Sequence, residues 1–87
     1  MPNRGEALDT LGWVYAQKGM LGEAEETLKQ AVALTPKHPS IRYHFGLVQY
    51  KLGRKAEAMA EMQRALQAEG NFPEAAKARE ILQAAGG

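Results

Sequence analysis

The chain carries an internal repeat of 34 residues, and this period constrains the fold more than any other feature of the sequence. When residues 5–38 are aligned with residues 39–72, small residues fall on small residues and apolar residues on apolar ones. The identical pairs are Gly12 and Gly46, Val14 and Val48, Gly19 and Gly53, Glu23 and Glu57, Ala24 and Ala58, and Ala31 and Ala65. A period of this length, built from two helical patterns, is typical of proteins made of stacked helix pairs.

The first half of repeat 1 predicts an amphipathic helix. Leu8 and Leu11 recur at helical spacing, so we expect both side chains to face the core. Asn3 and Glu6 have the spacing of a capping box, in which each side chain accepts a hydrogen bond from the backbone of the other. Gly19 is suited to the left-handed conformation that ends many helices.

The second half of the repeat predicts another helix, packed closely against the first. Gly12 lies in the middle of a helix, where glycine costs about 1 kcal/mol relative to alanine. We therefore expect Ala24 or Leu28 of the second helix to approach Gly12 too closely for a larger residue. Glu25 and Lys29 are four residues apart and should form an ion pair on the exposed side.

These patterns predict an all-α chain with one domain, 1–87, of two antiparallel helix hairpins and a C-terminal capping helix. Its parts are repeat 1 at 5–38, repeat 2 at 39–72 and the capping helix at 73–85. In this last helix, Arg79 and Glu80 occupy the places that Phe45 and Gly46 have in repeat 2. Large charged residues there leave no surface for a further hairpin, as expected at the end of a solenoid.

The N-terminal end of the chain, unlike the C-terminal end, shows a sign of a neighbouring repeat. Pro2 lies 34 residues before Pro36, which closes repeat 1, so it stands where a preceding repeat would end. We expect further repeats upstream in the parent protein; a natural start just before repeat 1 is the alternative.

Composition excludes several classes of protein. The 87 residues include 11 basic and 10 acidic ones, and a formal net charge of +1 does not indicate binding to nucleic acid. The absence of cysteine excludes a disulfide framework and a thiolate metal site. No apolar run reaches membrane-spanning length or resembles a signal peptide, so we expect no membrane insertion. Both a cytoplasmic and a periplasmic location remain open.

The recurring residues resemble the tetratricopeptide repeat family over nearly the whole chain. Repeat 1 carries LxxLGxxYxxxG at Leu8–Gly19, EAxxxLxxA at Glu23–Ala31 and the closing Pro36. Repeat 2 departs from the pattern at Arg42 and Gln49, which replace apolar or aromatic residues. More narrowly, the chain is similar to the C-terminal repeats of large bacterial proteins of this family, some of them from exopolysaccharide-export and PEP-CTERM sorting systems.

The resemblance implies a right-handed superhelix with a concave groove lined by the first helix of each pair. Members of the family generally bind peptides, helices or loops of partner proteins there and are seldom catalysts. We therefore expect a non-enzymatic interaction scaffold without a cofactor. The residues that we expect to contact the partner in the groove are Asp9, Trp13, Gln17, Tyr43, Leu47, Tyr50 and Lys51.

The aromatic and apolar members of this set would form an exposed strip of binding anchors. The alternative is that Trp13 and Tyr50 only cover the seam between the repeats. In one subclass of the family, lysine and asparagine side chains grip a partner's terminal carboxylate. Here Asp9 takes the place of a lysine and would repel a carboxylate, so that ligand is excluded. His38 and His44 are six residues apart, which does not predict a metal site.

A second surface follows from the repeat itself. Ile41 and Val48 should pack near Val32 of the preceding helix, whereas their equivalents Ala7 and Val14 have no preceding helix in this sequence. We expect these two residues to form an uncapped apolar end through which copies of the chain associate, as a symmetric dimer or by stacking. The alternative function is thus a structural C-terminal cap of a longer solenoid, with an empty groove.

Overall fold

Five α-helices follow one another in the computed structural model, which describes residues 3–86. They are α1 (Arg4–Gln17), α2 (Leu21–Leu34), α3 (Pro39–Lys51), α4 (Lys55–Ala68) and α5 (Ala75–Gly86). No strand occurs in this described part, so the predicted all-α helical repeat is confirmed. Met1 and Pro2, on which the expectation of a preceding repeat depends, lie outside the described residues, as does Gly87.

The predicted helix ends are present. The Asn3 side chain accepts a hydrogen bond from the backbone N–H of Glu6 at 2.7 Å, and the Glu6 carboxylate accepts one from the backbone of Asn3 at 3.3 Å. Gly19 and Gly53 follow the ends of α1 and α3 with φ of +77° and +86°, a conformation that L side chains rarely adopt. Pro39 occupies the first turn of α3, where its missing N–H leaves no helical hydrogen bond unmade.

Within each pair, the two helices meet at a glycine. A Cβ atom added to Gly12 would lie 2.6 Å from Cγ of Leu28, which is completely buried. A Cβ added to Gly46 would lie 3.2 Å from Cε of Met62. The predicted close approach at Gly12 is therefore confirmed, and Leu28 is the neighbour that requires it.

Helix α3 joins two apolar clusters. The α2–α3 cluster consists of Ala16, Ala24, Leu28, Phe45 and Val48. The α4–α5 cluster consists of Tyr43, Met62, Ala65, Phe72, Ala75 and Ala78. Because α3 contributes side chains to both clusters, its position is fixed from two sides.

Repeat 2 replaces one apolar contact by a polar one. Arg42, at the place of Leu8, donates hydrogen bonds to the Pro36 carbonyl and to the Glu61 carboxylate, both at 2.7 Å. Arg64 donates to the other oxygen of Glu61 at 2.9 Å. The Glu61 carboxylate is nearly buried, and each of its oxygens pairs with an arginine. Arg42 therefore connects α3 to α4 although it is polar where repeat 1 has Leu8.

Two predictions about α1 and α2 are wrong. Glu25 does not pair with Lys29 but with Arg54 of the next repeat, which lies just before α4. Leu11 does not face the core and is 43% exposed, because no helix covers that side of α1 among the described residues. Both errors concern contacts between repeats and not contacts within one.

Helix α5 has one buried side and one exposed side. It begins at Ala75, two residues after Pro73, because residues 73–74 form a turn, and it runs through Gly86. Ala75 and Ala78 are buried against α4, whereas Arg79 and Glu80 are exposed.

We expect Gly12→Ala to lower the free energy of unfolding by about 1–2 kcal/mol. Alanine has a higher helix propensity than glycine, but its methyl group would overlap the buried Leu28. The free-energy cost of this overpacking exceeds the free energy that the higher helix propensity contributes. The matched control is Gly22→Ala in α2, where a Cβ meets nothing within 4 Å. It should leave stability unchanged or raise it by up to about 1 kcal/mol. Urea unfolding followed by circular dichroism measures both; equal effects would contradict the close approach.

Candidate protein-binding groove

A row of polar contacts links the first helices of successive pairs. His44 on α3 lies with Nδ1 2.8 Å from Oδ1 of Asp9 on α1, and with Nε2 3.9 Å from Oε2 of Glu74. Ser40 donates a hydrogen bond to the other oxygen of Glu74 at 2.7 Å. These contacts tie α1, α3 and the turn before α5 together along one side of the molecule.

Sequence reasoning missed this row, although the repeat period contains a signal for it. Ser40 and Glu74 are 34 residues apart, and Asp9 and His44 are 35 apart. Residues one period apart lie at equivalent places on neighbouring helices, so a donor and an acceptor at that separation are candidates for a contact between repeats.

Trp13 lies over this row and over the seam between α1 and α3. Its ring centroid is 4.5 Å from that of His44, with 32° between the ring planes. The rest of the side chain packs against the α2–α3 cluster and is half-buried. Trp13 therefore packs over the seam between the repeats, which was the alternative to contact with a partner in the groove. Part of its ring remains accessible.

The prediction of an exposed Tyr43 is wrong. This side chain is only 6% exposed and lies in the α4–α5 cluster beside Phe72. The small residues Ala75 and Ala78 let α5 come close enough to cover the ring. Leu47 packs partly against the same cluster and is half-buried.

The accessible part of the predicted site is smaller than expected. Tyr50 is 45% exposed, and Gln17 and Lys51 are exposed. Asp9 is largely covered because it pairs with His44. We call the side of α1 and α3 that retains these residues the groove face; its members are Asp9, Trp13, Gln17, Leu47, Tyr50 and Lys51.

Among residues 3–86, no group of three or more His, Cys, Asp or Glu side chains is placed to hold a metal ion. None of the described helices is long and apolar enough to cross a bilayer.

The surroundings of Tyr43 change its ionisation. Burial raises the pKa of its phenol, and the carboxylates of Glu74 and Glu80 raise it further because they repel the phenolate. A pKa raised by folding means that the neutral form stabilises the fold, and that this stabilisation is lost as pH rises through the folded-state pKa.

We therefore expect the tyrosinate absorbance of the folded chain to show an ionisation at unusually high pH, and Tyr43→Phe to remove it. The variant should also lose less stability than the unaltered chain in alkaline solution. Urea unfolding at several alkaline pH values measures the second effect; identical pH dependence of the two proteins would contradict the burial of this phenol.

Comparisons with known proteins agree with the helical architecture. The family model described as Tetratricopeptide repeat matches residues 15–82, which is more than half of the chain. The chain is also similar to the Photosystem I assembly protein Ycf3 of Synechococcus sp. (strain CC9311), with 38% identity over 74 residues, or 85% of this chain. It spans only 41% of the length of that relative. The chain belongs to the tetratricopeptide repeat family.

Proposed function

We propose that this chain is a non-enzymatic scaffold that binds a peptide or helix of a partner protein on the groove face. The observation that carries the proposal is Tyr50, an aromatic side chain 45% exposed on a helix that is fixed from two sides. Tyrosine and tryptophan are enriched among residues that dominate binding energy. An exposed tyrosine on rigid backbone is thus a suitable anchor for a partner.

The coarser part of this function has support from the comparisons. The chain belongs to a family of helical repeat proteins, and the relative from Synechococcus is named for the assembly of photosystem I. Assembly requires contact with other proteins. The chain corresponds to less than half of that relative, so we propose protein binding and not that particular assembly role.

Preorganisation is the mechanism that the contacts favour. His44 holds the ring of Trp13 in place and pairs with Asp9, so these side chains are ordered before a partner arrives. Side chains that are already fixed lose little entropy on binding, and more of the contact energy then appears as affinity.

Charge would orient the partner along the groove face. Lys51 is exposed and has no carboxylate within 4.0 Å among residues 3–86, so it is available for an acidic residue of the partner. Asp9 uses one carboxylate oxygen for His44 and keeps the other for a hydrogen-bond donor. A partner segment would thus lie with its acidic residue near the C-terminal end of α3.

We expect Tyr50→Ala to weaken retention of the partner about tenfold or more, since truncating a central aromatic anchor costs about 2 kcal/mol. The chain is immobilised, proteins retained from the source cell are identified, and the affinity of each for the variants is measured by calorimetry. Tyr50 is exposed, so the melting temperature should not change. Trp13→Ala is less informative because it also removes packing against His44.

The matched control is Leu34→Ala, which truncates an equally exposed apolar side chain on α2. It should leave retention unchanged. In the structural-cap alternative the groove is empty. Every retained protein should then bind the Tyr50→Ala and Leu34→Ala variants with the same affinity. That outcome would refute binding on the groove face.

A further inference from the structure

His44 lies between two carboxylates that belong to different parts of the chain. Its Nδ1 atom is 2.8 Å from Oδ1 of Asp9 on α1, and its Nε2 atom is 3.9 Å from Oε2 of Glu74, in the turn before α5. Each ring nitrogen thus faces an acidic oxygen. The side chain of His44 is 16% exposed, so a proton from solvent can reach the ring.

A neutral imidazole ring cannot donate a hydrogen to both carboxylates. It carries one N–H group and one lone pair, whereas the protonated ring carries two N–H groups. We assign the hydrogen of the neutral ring to Nδ1, because the contact with Asp9 is the shorter one. Nε2 then directs its lone pair toward the carboxylate of Glu74, and a proton taken up at Nε2 replaces this repulsion by attraction. Both contacts are therefore favourable only when His44 is charged.

No permanent positive charge takes the place of this proton. The ionisable groups that contact His44 in the described part of the chain are Asp9, Glu74 and its neighbour Tyr43, whose ring meets it edge-on at 6.0 Å. Burial raises the pKa of the Tyr43 phenol, which stays neutral in this range. No described lysine or arginine lies within 4.0 Å of either carboxylate. The carboxylate of Glu61, in contrast, pairs with two arginines.

The ring of Trp13 lies against the same imidazole. The two ring centroids are 4.5 Å apart, with 32° between the ring planes. An aromatic ring attracts a cation that lies within about 6 Å of its centroid, so this contact strengthens when His44 is charged. Because Trp13 belongs to the groove face, the charge of His44 acts on that face as well as on the two carboxylates.

We propose that His44 is a positioning residue that connects the repeats in a pH-dependent way. At about pH 8 the neutral ring pairs with Asp9 alone, and toward about pH 5 a proton from solvent binds to Nε2. The charged ring then pairs with Asp9 and Glu74 together and attracts the ring of Trp13. Glu74 is already held in place, since its other oxygen accepts a hydrogen bond from Ser40 at 2.7 Å. Proton uptake therefore strengthens the connection between α1, α3 and the turn before α5.

This connection is a property of the free chain. Its consequence for a partner is a groove face that is held more firmly in mildly acidic solution, and this consequence rests on the function proposed above. The contacts of His44 do not rest on it. An experiment without a partner therefore tests the pH-dependent connection separately from binding at Tyr50.

The test follows the fluorescence of Trp13, the only tryptophan of the chain, from about pH 8 to about pH 5. A charged imidazole in contact with an indole quenches its emission more strongly than a neutral one does. We expect the emission to fall in one transition as the pH is lowered, and His44→Gln to abolish this transition. The matched control is His38→Gln, which should retain it. The side chain of His38 is 37% exposed and lies 4.0 Å from a single carboxylate, that of Glu6.

Two further variants test the carboxylates while the histidine stays in place. Asp9→Asn and Glu74→Gln each remove a negative charge that favours the protonated ring, so the transition should move to lower pH. The amide of Glu74→Gln can still accept the hydrogen bond from Ser40, so the experiment measures the loss of the charge. Glu80→Gln is the control, because this carboxylate on α5 is 71% exposed, and it should leave the transition where it is.

Three results would overturn the proposal. The first is an emission that stays constant over this pH range, and the second is a transition that persists in His44→Gln. The third is a transition that either carboxylate variant leaves at the same pH. This last result would mean that the charged ring does not connect Asp9 to Glu74.

Discussion

The structure depends on how closely the two helices of each pair approach one another. At Gly12 the absence of a side chain leaves room for Leu28, and at Gly46 it leaves room for Met62. Each pair is thereby closely packed, and its outer sides can pack against further helices. Helix α3 packs in this way on both sides, and so the shape of the molecule follows from two local contacts repeated once.

The same repeat position has different environments in the two repeats. Phe45 is 8% exposed and Leu11, its equivalent, is 43% exposed, although both are large apolar residues on the first helix of a pair. The difference comes from the neighbouring helix: α2 covers Phe45, and no described helix covers Leu11. A residue in a repeat protein is therefore part of the core or part of a binding surface according to what stacks on it, and its own chemistry does not decide between the two.

This dependence explains what the sequence could predict and what it could not. The capping box of Asn3, the left-handed Gly19 and the contact between Gly12 and Leu28 are properties of one hairpin, and local patterns determine them. Contacts between repeats were predicted poorly. Helical spacing predicted an exposed Tyr43 on α3, but this side chain is buried, and its burial depends on how near α5 lies. The small residues Ala75 and Ala78 allow that approach without requiring it. The partners of Glu25 and Asp9 are likewise side chains of the following repeat.

The contacts between repeats also determine what the groove face can do. A stack held only by apolar contacts could slide and twist, because such contacts have little directional preference. The hydrogen bonds between Asp9 and His44 and between Ser40 and Glu74 are directional, and they connect α1, α3 and the turn before α5. The aromatic Trp13 lies on this polar row and Tyr50 lies on the same helix as His44. The polar row therefore helps to set the spacing between Trp13 and Tyr50, and a change in it would alter the shape of the groove face without altering these two side chains.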